Sequence, residues 1–346
     1  MQRSRIESVG TFLPSRSVLT QELVASMAYR PAFDLEAVTG IRERRVCGPQ
    51  DDCLSLAMNA AHDALARSKY RASDLDLVIS TSISRRLSDN RMYFEPALSH
   101  RVCRGIGAHG ALRFDVSNAC AGMMTGLYVA DSMIKAGAIK TAMVVSGEDV
   151  TLLAETAAQE IRQASDLQFA ALTVGDSAAA LIVDEATDED NCIEYLELMT
   201  CAKHCKLCIS MPSDRGGTYA MYMNNLEAQR SVRAELWLRF LTDYLAKRGR
   251  DFASEQFDYI IHHQVSSRVI AKFQQCGSEA FDCPMPPSLE CFQWLGNTAS
   301  TSHFVALHEH LRRGNIKKGA KIAFVPNASG LVVGWMAARI SPAEGL

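Results

Sequence analysis

Unbroken apolar runs are the first thing this 346-residue chain lacks. Nowhere do about 18 apolar residues follow one another, so no membrane-crossing helix is expected. The opening MQRSRIESVGTFLPSRSV carries basic residues without the apolar stretch of a signal peptide, so no export is expected. An excess of one charge is missing as well. The 36 Lys and Arg against 39 Asp and Glu leave a net charge of -3, which gives neither nucleic acid nor an anionic membrane a general reason to bind. There is no glycine-rich phosphate loop of the dinucleotide or P-loop type, which argues against a nucleotide-driven enzyme. Low-complexity segments, heptads and repeat arrays are absent too. What remains is the composition of a well-packed globule, 48% hydrophobic and 22% charged. Its 11 cysteines, with no secretory signal, read as reduced thiols of a cytoplasmic protein, most of them filling core space.

Strand-like and helix-like stretches alternate along the chain. Residues 6–12, 74–81, 112–116, 141–146 and 177–183 read as strands. Residues 21–27, 55–68, 94–105 and 121–136 read as helices, the last apolar nearly all round and therefore internal. An acidic loop over 184–194 marks a shift in composition, and the order then repeats. Helices are expected over 228–247, 266–275 and 298–313, and strands over 258–261, 321–325 and 331–339. This alternation indicates an α/β protein with mainly parallel sheets covered on both faces, in two halves, 1–186 and 187–346. Small-residue turns feeding a strand, Gly175-Asp176-Ser177 in one half and Ser329-Gly330-Leu331 in the other, suggest a duplication.

Cys120 stands between a strand and the buried helix, in Phe114-Asp115-Val116-Ser117-Asn118-Ala119-Cys120-Ala121-Gly122. A helix N-terminus offers free N–H groups and partial positive charge, which lower a thiol pKa. By position alone Cys120 is either a core thiol or a nucleophile. The wider series decides more: TGIRERR, SNACAG before an apolar helix, GDSAAALIV, IHHQVSSR, GNTAS and NASGLVVG, in that order. This series resembles that of ketoacyl synthase III-like condensing enzymes of the thiolase superfamily and spans Thr39 to Gly334. The resemblance implies the thiolase fold, duplicated βαβ halves in a five-layer αβαβα arrangement. It implies an acyltransferase with a Cys–His–Asn site: Cys120 as nucleophile, His263, which directly precedes Gln264, and Asn297. His263 and the Asn297 amide would stabilise an enolate, and the backbone N–H groups of Cys120 and Ser329 would hold the acyl carbonyl. It further implies a homodimer, acyl-CoA or acyl-carrier-protein thioesters as substrates with no cofactor, and Arg268 as a carrier-docking residue. His262 is expected to be structural.

Several positions depart from the family pattern. Asp34 and Val38 occupy the places of its usual adenine clamp, and Ser266 replaces an asparagine after the His-Gln pair. Glu95, twenty-five residues before the nucleophile, replaces an apolar residue that reaches into the partner's acyl pocket. Enzymes that join two acyl chains head to head, and pyrone-forming ones, are similar to this chain in carrying a glutamate there. Glu95 would then be the base that removes an α-proton, and a carboxyl in an apolar pocket should have a raised pKa. Ordinary malonyl-dependent extension, acyl transfer to an oxygen or nitrogen acceptor, and a non-catalytic partner subunit are the competing readings. Cys201, His204, Cys205 and Cys208 have zinc-like residue types without a second pair at finger spacing, so no metal is expected there. That stretch is expected to line the acyl tunnel or its mouth.

Overall fold

The computed structural model describes residues 2–87, 91–92, 94–224 and 232–341. Two five-membered sheets carry the architecture. The first has the order β1 (Ser4–Phe12), β7 (Ser177–Glu185), β6 (Thr141–Glu148), β4 (Leu77–Ser80), β5 (Leu112–Asp115). Its β6–β4–β5 part is parallel, and β1, β7 and β6 pair antiparallel. In the second sheet β8 (Cys192–Thr200) pairs with β14 (Val332–Ile340), β14 with β12 (Ala320–Val325), and β12 with β11 (Tyr259–His262). The sense of each pairing matches the first sheet, so the duplication expected from the two small-residue turns is present as a repeated topology. A short β13 (Asn327–Ala328) folds back on β14.

Alternation along the strands explains the layers. In β4, Ile79 faces a central core and Val78 an outer one; in β6, Val144 and Val145 divide in the same way. The central core gathers Met123, Leu127 and Ile134 of α5 (Gly122–Lys135) with Phe304 and Leu307 of α10 (Ser302–Arg312), between strand residues of both sheets. On the first sheet's outer face lie α3 (Cys53–Ala66) and α4 (Leu98–Ile106). On the second sheet's outer face lie α7 (Val232–Ala246) and α8 (Ser267–Phe281), around Trp237, Phe273 and Trp335. Five layers result. Helices α5 and α10 are apolar on several faces because each is covered by two sheets. No helix among the described residues is long and apolar enough to cross a membrane.

Several sequence expectations need correction. The acidic loop is shorter than 184–194: β7 runs to Glu185 and β8 begins at Cys192, because CIEYLELMT alternates apolar and polar residues. Helix α4 begins only at Leu98, since Pro96 restricts the residue before it and the 94–97 stretch stays in a loop. The charged run after Gly40 is a strand, β3 (Glu43–Val46), paired with β2 (Arg16–Leu19). Its alternation buries Arg44, whose guanidinium donates to Leu172 O and to Thr20 Oγ1 (2.6 Å). Burial lowers the Arg44 pKa to about 10. Helix α6 (Thr151–Glu160) and the hairpin β9 (Cys208–Pro212) and β10 (Tyr219–Met223) carry too little periodicity to be read in advance. The start of the expected 228–247 helix lies outside the described residues, as does Tyr93.

Candidate active site

Cys120 lies in a single 3₁₀ turn, Ala119–Ala121, that joins the end of β5 to α5. Ala119 is held at φ 46°, a left-handed conformation strained for alanine. The second half repeats the device: Ala299, at φ 53°, opens the 3₁₀ turn Ala299–Thr301 ahead of α10. The two turns pack on one another, and Cys120 and Ala121 also pack with Ala328 of β13. Ser300, the counterpart of Cys120, hydrogen-bonds Glu148 and Ser146 (2.8 Å to the latter), and Thr301 bonds Ser177 (2.6 Å). These buried hydroxyls tie one half to the other next to the Cys120 turn.

The expected lowering of the Cys120 pKa by the helix end is overturned. Burial pushes the thiol up to about 12, with Cys208 and Glu148 adding to the rise, while Arg233 opposes it. Desolvation by the two apolar clusters that Cys120 packs against outweighs the partial charge of a helix terminus. Cys120 is thereby held as a thiol.

His263 is placed by its main chain and by Gln264. His263 N donates to Val325 O (3.2 Å), and Gln264, wholly buried, bonds His262 O (2.8 Å) and accepts from Cys291 N (2.9 Å). The ring is buried against His303, and its Nδ1 meets Ser302 Oγ at 2.7 Å. Burial holds the His263 pKa well below its usual value, helped by His303 and Arg233, so the ring is neutral at pH 7. Ser302 was not singled out in the sequence; its position opening α10, two residues after the GNTAS motif of Asn297, was the available signal. Ser266, in place of the family's asparagine, caps α8 by accepting from Val269 N.

Asn297 is fixed from the other side. Its N donates to Thr173 O (2.8 Å), its O accepts from Gly175 N (3.0 Å), and Oδ1 accepts from Ala299 N (3.1 Å). The close approach needs Gly175: a Cβ there would sit 2.0 Å from Leu295 O. The neighbouring Asp176 is buried and accepts from Cys47 N, Val150 N, Thr151 N and Thr151 Oγ1. Through Gly175, bonded to Asn297 O, and Ser177, bonded to Thr301, the GDSAAA motif joins the two halves. Ser329 follows Ala328 directly, on the turn that leads into β14, and Ala328 packs with Cys120.

The remaining candidates lie further out. Arg268 is exposed in the first turn of α8 and makes no ion pair among the described residues. Asp34 is the N-cap of α2 (Leu35–Thr39), accepting from Ala37 N (3.1 Å). Glu95 is exposed in the loop before α4, so the apolar pocket expected around it is not supplied by its own chain. Asp115 of β5 anchors that loop by accepting from Leu98 N (3.0 Å) and Ser99 N (2.9 Å), and pairs with Arg85 (3.2 Å). Cys205 is exposed while Cys201 and Cys208 are half-buried, and among the described residues their ligand atoms do not gather with His204. The group that does gather, Cys47 with Asp149 and Asp176, includes the hydrogen-bonded Asp176.

Residues 114–200 match the family model described as 3-oxoacyl-[acyl-carrier-protein (ACP)] synthase III, and residues 248–340 match that of its C-terminal part. Together the two matches span just over half of the chain. The chain belongs to this synthase III family. The synthase is 26% identical to the β-ketoacyl-[acyl-carrier-protein] synthase III of Novosphingobium aromaticivorans, over 98% of this chain and 99% of the relative. It is 27% identical to that of Clostridium novyi, over 96% and 98%. The 3-oxoacyl-[acyl-carrier-protein] synthase III of Aquifex aeolicus superimposes with a TM-score of 0.80 at 24% identity, covering 97% of this chain and 100% of that one. A cysteine variant of Xanthomonas campestris OleA, with bound lauric acid and lauroyl-CoA, superimposes with a TM-score of 0.81 at 23% identity, covering 98% and 99%. These two likenesses show the shared thiolase fold. The synthase is thus an acyltransferase of the condensing type.

Proposed function

We propose that the synthase joins two acyl thioesters directly, through an acyl group carried on Cys120, with Glu95 of a second copy as the base. The observation that carries the condensing step is the neutral His263 ring braced at Nδ1 by the Ser302 hydroxyl. A hydroxyl either donates or accepts, so it tolerates both tautomers. With its proton on Nδ1, His263 has Nε2 free to take the Cys120 proton as the first thioester arrives. The thiolate then attacks the acyl carbonyl, and the carrier thiolate leaves and is protonated. With its proton on Nε2, His263 donates to the carbonyl oxygen of the second thioester, together with the Asn297 amide. Glu95 removes the α-proton, the enolate carbon attacks the acyl-Cys120 carbonyl, and the Cys120 thiolate departs, leaving a β-keto thioester. These steps use no cofactor.

Support for the second copy comes from one edge of the molecule. Strand β5 ends the first sheet, and Phe94, 72% exposed, stands next to Glu95 with Met92 and Leu112 also exposed. Apolar side chains beside an open strand edge favour burial against another chain, here a homodimer partner whose site Glu95 would enter. The exposed Arg268 would meet an acidic carrier protein or the phosphates of coenzyme A.

The test is condensation from acyl thioesters alone, without malonate. Glu95→Ala should lower product formation about a hundredfold or more while intact mass still shows acylated Cys120, the scale expected for loss of a general base. Strict dependence on malonyl thioester, with full activity in Glu95→Ala, would overturn direct joining in favour of decarboxylative extension. A product without a new ketone would mean acyl transfer to oxygen or nitrogen.

A further inference from the structure

A positive charge without a fixed partner among the described residues lies beside this site. Arg233 is in the first turn of α7, half-buried, and its Nε is shut off from solvent with no hydrogen-bond partner. It lines a small pocket with His262, His263, Phe273 and Asn327, and no carboxylate contributes to that lining. More orphaned polar atoms accompany it: both ring nitrogens of His262 and Oδ1 of Asn327.

Stability does not account for Arg233. A guanidinium taken from water without a counter-charge is destabilising. A cation in the first turn of a helix also faces the positive end of the helix dipole. Burial accordingly lowers the Arg233 pKa, and the groups that favour its charge are the Cys208 and Cys120 thiols. Neither is a carboxylate, and no carboxylate pairs with Arg233 among the described residues.

An anion brought by the substrate would complete the arrangement. Two sources are available in an acyl thioester, the phosphates of the carrier arm and a carboxylate on the acyl group. The pantetheine arm separates its phosphate from the thioester carbonyl by a long chain of bonds. When that carbonyl is at Cys120 and His263, the phosphate is therefore far from a pocket that has His263 in its wall. The acyl group itself must supply the charge.

We propose that Arg233 receives the free carboxylate of a dicarboxylic acyl thioester and so determines substrate selection, with His262 as a second donor. This rests on the condensing reading above. It also agrees with direct joining, because a guanidinium held on a carboxylate stabilises the ionised group and works against its loss as carbon dioxide.

The experiment compares succinyl- and butyryl-pantetheine thioesters, which lack phosphate, on the full-length protein. Thiol release gives kcat/KM, and intact mass gives acylation of Cys120. Wild type should prefer the succinyl thioester. Arg233→Gln should lower the succinyl-to-butyryl ratio of kcat/KM about tenfold to a hundredfold, the scale of a lost charge-assisted hydrogen bond. Arg233→Lys should recover part of that ratio, which a mere packing role would not. A wild type without succinyl preference, or a ratio unchanged within about twofold in a folded Arg233→Gln, would overturn the inference. The wild-type comparison stands even where a variant does not fold. Failure of both thioesters to acylate wild-type Cys120 would instead sink the condensing reading, and this inference with it.

Discussion

Replacing Ser302 with alanine tests the brace on the His263 ring. In the wild type, Ser302 Oγ lies 2.7 Å from His263 Nδ1, and both residues are buried. No other hydrogen bond to that nitrogen is formed among the described residues. The substitution therefore removes a bond worth about 0.5–1.5 kcal/mol and strands a buried nitrogen at about 1–3 kcal/mol. Part of this falls on stability: for a chain of this size about 1–2 kcal/mol lowers Tm by a few degrees. The rest falls on the ring's orientation and tautomer during reaction. A transition-state loss of about 1.4–2.8 kcal/mol corresponds to a kcat reduced about tenfold to a hundredfold. The assay is steady-state formation of the β-keto product by mass spectrometry at saturating thioester, with Tm measured on the same preparation. KM should change less than kcat, because Ser302 touches the ring and not the substrate. A folded Ser302→Ala with kcat within about twofold of wild type would refute the brace.

Two other substitutions probe the frame. His262 is buried with both ring nitrogens unpartnered, and burial lowers its pKa to about 3. The unfolded chain, with an ordinary histidine, therefore binds more protons between pH 6.5 and about 3, so this group's contribution to stability falls as pH falls through that window. Urea unfolding should show the stability of His262→Phe relative to wild type improving by about 2 kcal/mol between pH 7.5 and pH 5, and parallel pH curves would exclude the effect. Gly175→Ala forces a Cβ to within 2.0 Å of Leu295 O. It should cost about 1–3 kcal/mol, lower Tm by about 3–10 °C and reduce condensation by shifting Asn297; an unchanged Tm would deny the close contact.

The strands of the central layers were readable because burial on two faces leaves them almost wholly apolar, as in the SAAALIV of β7. The helices α5 and α10 were readable for the same reason. The hairpin β9–β10 was not: its side chains are half-exposed and mix methionine, tyrosine and serine without alternation. The charged run of β3 misled because Arg44 is buried by its bonds to Leu172 and Thr20, partners far away in the chain. At the site, Cys120, His263 and Asn297 were legible as motifs. The elevated thiol pKa was not, since desolvation depends on apolar clusters brought together from distant segments. Ser302 and Arg233 were invisible for the same reason. Each matters through a neighbour in space rather than in sequence.

The matched turns at Ala119 and Ala299 have one more consequence. A duplicated fold offers two equivalent seats for a nucleophile, and here they have been given opposite duties. Cys120 makes no side-chain hydrogen bond among the described residues, while the hydroxyl at Ser300 is spent on Glu148 and Ser146. On the proposed reading one protomer has one working seat rather than two, and the Ser300 seat is the fastener packed against it. Broken symmetry, rather than symmetry, makes the pair of halves an enzyme.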